Sequence, residues 1–165
     1  MAATRVGLLL GIDPGLASTG YALLSGDNQV LACGTIKTAP GPTGPRLHQI
    51  VTEVASVLAS YEIREAAMEE LFVGRNTTSV IGVAQARGAI LATLEARGIP
   101  TFEYKPAQVK AVLTGYGMAS KAQIARMLAL QVASAGKMDD HAADAIAIAV
   151  CHARSRKLRI AAQQR

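Results

Sequence analysis

Past its first few residues the chain opens on an uninterrupted apolar run, VGLLLGI at residues 6–12, which ends abruptly on Asp13 followed by Pro14 and Gly15. A run of this length closed by a Pro-Gly breaker reads as a strand over 6–13 buried on both faces. YALLSG, the turn GDNQ and the alternating VLACGTIKT then read as a second and third strand joined in a hairpin. The loop APGPTGP holds three of the six prolines. It hands over to a helix predicted from about Arg46 to Tyr61, with Leu47, Ile50, Val51, Val54, Val57 and Leu58 on one face. EAAMEEL is a fourth strand and FVGRN a polar loop; Thr77 or Thr78 then caps a long helix to about Arg97, which Gly98 stops. IPTFEY is the fifth strand. Pro106 sits at the first turn of a short helix to about Leu113, GYGMAS is a joint, and Ser120 caps a helix to about Ala133. A last helix runs from Asp139 or Asp140 to about Arg156.

Three strands in succession, followed by strands that return through helices, predict an α/β fold. Its mixed five-stranded sheet has three antiparallel strands, then two parallel ones, and helices flank it. No repeat or second domain interrupts the pattern, so residues 1–165 read as one domain with a basic C-terminal tail from about 154.

Half of the residues are hydrophobic and 18% are charged, which argues against disorder. No apolar run approaches the roughly 18 residues needed to span a bilayer. The N-terminal run is too short for a secretory segment and is broken by Asp13, so a cytoplasmic protein with no membrane association is expected. Cys33 and Cys151 lie far apart and form no CxxC pair, and both read as buried free thiols. The net charge of +5 is unevenly spread. Between Tyr104 and Met138 there is no acid, while Lys105, Lys110, Lys121, Arg126 and Lys137 fall there; after Asp144 come only Arg154, Arg156, Lys157, Arg159 and Arg165. A cationic half-surface is the footprint of a polyanion binder, nucleic acid first.

Against this pattern three carboxylates stand where burial disfavours them. Asp13 ends the first strand, Glu69 lies at the end of the fourth beside Glu70, and Asp144 sits within the apolar helix HAADAIAIAV, sharing a face with His141 three residues earlier. Singly, each has an ordinary structural reading. Asp13 before Pro-Gly is a turn former, Asp139 and Asp140 are helix caps, and His141 is a half-buried histidine. Together they are placed against local propensity, and clustered acids repel unless a cation sits among them. Hard oxygen donors suit Mg²⁺ or Mn²⁺, which keep waters and accept phosphate oxygens.

The motifs GIDPGLASTGYAL, AMEELF, VAQARGAI, FEYKPAQVK and DDHAADAIAIA occur in this order and spacing over residues 6 to about 153. In this the chain resembles the RuvC crossover-junction endodeoxyribonucleases of bacteria, which have the ribonuclease H-like fold. The resemblance implies metal-dependent hydrolysis of phosphodiesters in a four-way (Holliday) DNA junction by a homodimer. Paired symmetric nicks would leave 5′-phosphate and 3′-hydroxyl ends, and the partners would be the RuvA and RuvB branch-migration complex. It places Asp13, Glu69 and Asp144 in the catalytic carboxylate cluster that holds two divalent ions (Mg²⁺ or Mn²⁺) per subunit, with His141 as the fourth member. His141 is a departure, since many members carry aspartate there, and a softer imidazole predicts a preference for Mn²⁺. Lys110 and Lys121 match basic positions near the scissile phosphate. Phe72 matches an aromatic that stacks on an unpaired base, with Arg75 and Asn76 beside it on the DNA. The small residues of the long helix, Gly82, Ala84, Ala86, Gly88 and Ala89, fit docking on the sheet as well as a dimer seam. Three rival readings share parts of this pattern: a single-domain member of the actin and sugar-kinase ATPase group, through the DPGLASTG turn; a RuvC-like nuclease of ribosomal RNA processing; and a non-catalytic junction-binding protein, should His141 disable metal binding. Length speaks against the first, which needs two such domains.

Overall fold

A computed structural model describes residues 7–71, 77–132 and 138–163, with the backbone alone at 77–79 and 157–163. The elements are β1 (Leu8–Asp13), β2 (Ser18–Leu24), β3 (Val30–Lys37), α1 (Thr43–Ser60), β4 (Ile63–Glu69), α2 (Thr77–Glu95), β5 (Thr101–Tyr104), α3 (Pro106–Thr114), α4 (Lys121–Gln131) and α5 (Asp140–Gln163). The strands form one sheet in the order β3-β2-β1-β4-β5. Pairing is antiparallel from β3 through β1 and parallel from β1 through β5. This is the predicted mixed sheet: hairpin turns join the first three strands, whereas β4 and β5 return through α1 and α2 and so run parallel.

Period-two alternation along β1 divides the core. Leu10 and Ile12 pack with Ile50, Val54 and Leu58 of α1 and Ala86, Ile90 and Leu94 of α2. Leu9 faces the other layer, built on α3, α4 and α5. Gly11 and Asp13 follow Leu9 to that second face. In β4, Ala66 and Met68 join the first layer and Ala67 the second, which puts Glu65 and Glu69 on the α5 side as well.

Glycine lets α5 approach this sheet closely. A Cβ on Gly11 would lie 2.1 Å from the Ala145 carbonyl oxygen and 2.9 Å from the Ala149 Cβ; one on Gly20 would lie 2.0 Å from the His141 carbonyl oxygen. Both obstacles include helix backbone, so no side-chain rotation could relieve them. Further along, α5 is tied down by the fully buried His152, whose Nδ1 lies 2.7 Å from the Tyr104 hydroxyl and Nε2 2.9 Å from Glu65. Burial alone would raise Glu65, but Arg156 Nε at 3.0 Å and His152 hold its carboxyl below the ordinary range.

The helix signals act where the sequence places them. Ser120 forms a capping box with Gln123. Gly98 ends α2 at φ 66°, and Gly115 ends α3 at φ 79° with its N–H on the Ala111 carbonyl. Two boundaries differ. α1 begins at Thr43 rather than Arg46, because Pro45 fits a first helical turn. α5 continues to Gln163, so the residues from 154, expected as a tail, extend a helix. The side chains of Thr77 and Thr78, expected as a cap, lie outside the described residues. Cys33 and Cys151 are free thiols; Cys151 is buried and its thiol is pushed up to about 11, whereas Cys33 is only half-buried. Among the described residues no helix is long and apolar enough to cross a membrane.

A methyl group at Gly11 must push α5 off β1. Gly11→Ala is expected to cost about 1–3 kcal/mol, seen as a lower urea midpoint with an unchanged slope. An unaltered midpoint would mean that the helix does not rest on this glycine.

Candidate active site and metal centre

Parallel register sets the first two acids side by side. Gly11 pairs with Ala67 and Ile12 with Met68, so the next residues along, Asp13 and Glu69, end neighbouring strands at their carboxyl edge. That edge is where open α/β sheets bind ligands. On its other side Asp13 pairs with Gly20 of β2, the residue on which the first turn of α5 rests. The contact delivers His141 to Asp13, with Nδ1 2.8 Å from Asp13 Oδ2. Asp144 lies one turn further along α5.

Asp139 fixes the start of that helix. Its Oδ1 accepts from the Ala142 N–H at 3.1 Å, the capping geometry expected of it, and from the Thr35 hydroxyl of β3 at 2.5 Å; Lys37 Nζ stands 3.7 Å from Oδ2. The Thr35 hydroxyl, the Ala142 N–H, Lys37 and His141 hold its carboxyl below the ordinary range.

Asp13 lies close enough to oppose the ionisation of Glu69 and Asp144. Burial raises the Glu69 carboxyl, the charges of Asp13 and Asp144 raise it further, and Lys110 pulls it back. Burial and then Asp13 raise Asp144, Lys121 and His141 oppose the rise, and Asp140 adds to it. Each predicted phosphate-binding lysine therefore stands by a site carboxylate. Asp13 and Glu69 line a pocket of about 230 Å³ with Glu70, Pro106 and Arg87. Asp144 and Lys121 line a separate groove between α4 and α5. Phe72, Arg75 and Asn76, expected to touch DNA, lie outside the described residues.

Arg87 is a member that the sequence reading missed. It is 8% exposed, donates from Nη1 to the Glu69 carbonyl at 2.5 Å, and pairs through Nη2 with Glu103. It thus pins the end of β4, and with it Glu69, to α2 and β5. The signal was an arginine among the small residues of VAQARGAI, since a cation in an apolar stretch needs buried partners. His152, in VCHAR, carried a similar signal.

Three carboxylates and an imidazole are hard to borderline donors. Among the described residues no group of three or more such side chains is arranged to hold a metal ion; a divalent ion here would be held by fewer side chains at a time and keep part of its water shell. The chemistry fits because the charge of Asp13 raises the proton affinity of Glu69 and Asp144, and a divalent charge among them would remove that cost. The Nδ1–H of His141 is directed to Asp13, which in a neutral imidazole leaves the lone pair on Nε2.

The strand order and an acid cluster at the carboxyl edge define a ribonuclease H-like nuclease domain. Residues 9–152 match the family model described as crossover junction endodeoxyribonuclease RuvC. A protein of that description from Syntrophomonas wolfei is 45% identical over 91% of this chain and 90% of its own length. One from Roseiflexus is 42% identical over 92% of each. The structure is similar to that of Thermus thermophilus RuvC in complex with a Holliday junction substrate, at a TM-score of 0.87 and 31% identity over 93% of this chain and 96% of that one. The yeast mitochondrial Holliday junction resolvase, 13% identical with a TM-score of 0.69 over 96% of this chain and 84% of its own, shares the fold. The chain belongs to the RuvC family of crossover junction endodeoxyribonucleases.

The raised acids set a pH dependence. The folded chain holds the Glu69 and Asp144 protons more tightly than the unfolded chain does, so their contribution to stability falls as pH rises through the raised values. Glu69→Gln is therefore expected to raise the urea midpoint of the metal-free protein near neutral pH, the gain shrinking as pH falls below the raised carboxyl. A destabilised variant at neutral pH would contradict this.

Proposed function

We propose that this chain resolves four-way DNA junctions by metal-dependent phosphodiester hydrolysis, acting as a homodimer whose two sites make paired symmetric nicks and leave 5′-phosphate and 3′-hydroxyl ends. The observation that carries this reading is geometric: Asp13 and Glu69 end neighbouring parallel strands, and the first turns of α5 bring His141 Nδ1 to 2.8 Å from Asp13 Oδ2 with Asp144 one turn further on. Asp13, Glu69, His141 and Asp144 would hold two divalent ions, Mg²⁺ or Mn²⁺, as the family resemblance implies. Such ions, when bound, supply charge stabilisation to the attacking and leaving oxygens of an in-line displacement. The remaining work belongs to the chain. Lys110 and Lys121, beside Glu69 and Asp144, hold the non-bridging phosphate oxygens. Arg87 and Asp139 keep the donors in place by anchoring the ends of β4 and α5. Phe72, Arg75 and Asn76 are assigned to the junction DNA, Phe72 by stacking on an unpaired base. Two-fold symmetry suits a substrate with two equivalent strands. Partnership with RuvA and RuvB and a cytoplasmic setting follow from the family resemblance.

A synthetic four-way junction labelled in each strand tests the reading. Incubated with Mg²⁺ or Mn²⁺, the protein should release paired, ligatable nicks. Asp13→Asn should bind the junction yet cut it at least about a hundredfold more slowly. Cleavage by that variant at the normal rate would overturn the assignment.

His141 carries a separate expectation. Replacing it by aspartate restores a hard oxygen donor, so the ratio of the Mn²⁺ rate to the Mg²⁺ rate should drop about tenfold in His141→Asp. Equal ratios in variant and parent would show that the imidazole does not set the metal preference.

A further inference from the structure

Arg154 falls where the sequence reads as tail, yet its guanidinium joins three helices. From α5 it donates through Nη1 to the Val112 carbonyl of α3 at 3.0 Å and through Nη2 to Gln131 Oε1 of α4 at 2.6 Å. Gln131 in turn donates from Nε2 to the Leu113 carbonyl at 3.1 Å. Val112 and Leu113 lie in the last turn of α3, whose carbonyls have no donor within the helix. The direction of α4 depends on few other contacts. Of its eleven residues only Leu128 is buried. Leu128 and, just past the helix, Val132 pack at the Gln131 end, which leaves the half-buried Ile124 and the joint at Ala119 to hold the end that carries Lys121. Lys121, the first residue of α4, lines the same groove as Asp144. The two helices therefore face each other twice, across that groove and again through the bond between Gln131 and Arg154.

We infer that Arg154 is a positioning residue: through Gln131 it fixes the angle of α4, and so the place of the Lys121 ammonium beside the acid site. The inference rests on the nuclease reading above, in which Lys121 holds a phosphate oxygen, and adds to it a determinant of where that charge stands. A helix rising 1.5 Å per residue puts Lys121 about 15 Å from Gln131, so a swing of about 4° at that end moves it by about 1 Å. A misplacement of that size can slow a reaction about a hundredfold when the moved group acts in the transition state. A guanidinium suits the task because its planar fork holds two acceptors in fixed relation, here one from α3 and one from α4, which a lone ammonium does not. Arg154 stands about three turns of α5 beyond Asp144 and acts on the reaction through α4.

Arg154→Met and Gln131→Met break the link from either side while keeping bulk, and Arg154→Lys keeps the charge without the fork. On a labelled four-way junction with saturating protein and Mn²⁺ or Mg²⁺, the single-turnover rate constant should fall about tenfold in both Met variants and less in Arg154→Lys. The junction Kd should change by less than about threefold, since the other phosphate contacts stay in place. Loss of fold alone would lower the reaction amplitude, which counts active molecules, and leave the rate constant at the parent value; that result overturns the inference. So does a further loss of about tenfold when Arg154→Met is added to Lys121→Ala, because a residue that acts through Lys121 then has nothing left to position. Coupling by a water-soluble carbodiimide, which joins an amine to a carboxyl without a spacer, gives a reading that needs neither metal nor cleavage. The yield of the amide between Lys121 and Asp144 in the metal-free protein should fall in both Met variants, and equal yields overturn the inference. A parent that cuts no junction would instead sink the nuclease reading, and the coupling yields would still decide whether Arg154 sets the place of Lys121.

Discussion

The approach of α5 to β1 and β2 across Gly11 and Gly20 is the constraint from which the rest of the site follows. Ordinary side chains at those positions would hold the helix away from the sheet, since the obstacles are helix carbonyls at about 2 Å from a would-be Cβ. With hydrogen there, the helix backbone rests on the strands. His141 then falls opposite the residue that pairs with Asp13, and Asp144 falls one residue before the Ala145 that rests on Gly11. The glycines are as much a part of the site as the acids, because no flexible side chain could make up the separation with defined geometry.

This closeness brings together charges that would separate if free to do so. Glu69 and Asp144 are half-buried among like charges, and the lysines facing them offset only part of the repulsion. What holds them is structure with no electrostatic interest in the cluster. Parallel pairing of β1 and β4 fixes the first two acids, Arg87 grips the Glu69 carbonyl, and the Glu65, Tyr104 and His152 network locks the later turns of α5 to β4 and β5. A divalent cation held among these acids would offset that repulsion, so its binding would be linked to the stability of the fold.

Much of this was legible in the sequence. The five strands, their order of hairpin and crossover, and the three out-of-place acids follow from the apolar run broken at Asp13, the hairpin spacing and the carboxylate within HAADAIAIAV, all of them local signals. What escaped was non-local. Nothing near Arg87 specifies that its guanidinium reaches across to the end of β4, and nothing near His152 names Tyr104 and Glu65, which lie 48 and 87 residues away in the chain. The roles of Gly11 and Gly20 were hidden for the same reason, since a glycine in a strand announces close approach but not what approaches. The end of α5 was set too early because a run of basic residues reads as tail when the helix beneath it has no polar stop.

His141 joins these levels. As a residue in the first turn of α5 its place is set by Asp139, which binds the Ala142 N–H on one side and Thr35 of β3 on the other, so the helix start is tied to the far strand of the antiparallel half. As an acid-base group it donates to Asp13, which fixes the ring plane and leaves Nε2 as the basic nitrogen. An aspartate at this position would add a fourth negative charge to a cluster that already raises the proton affinity of two of its members. As the proposed fourth ligand, the imidazole would add a donor without that charge, and it makes the metal-free cluster less repulsive. Selection for a softer metal and selection for tolerable repulsion therefore point to the same residue, and only the rates in the two metals separate them.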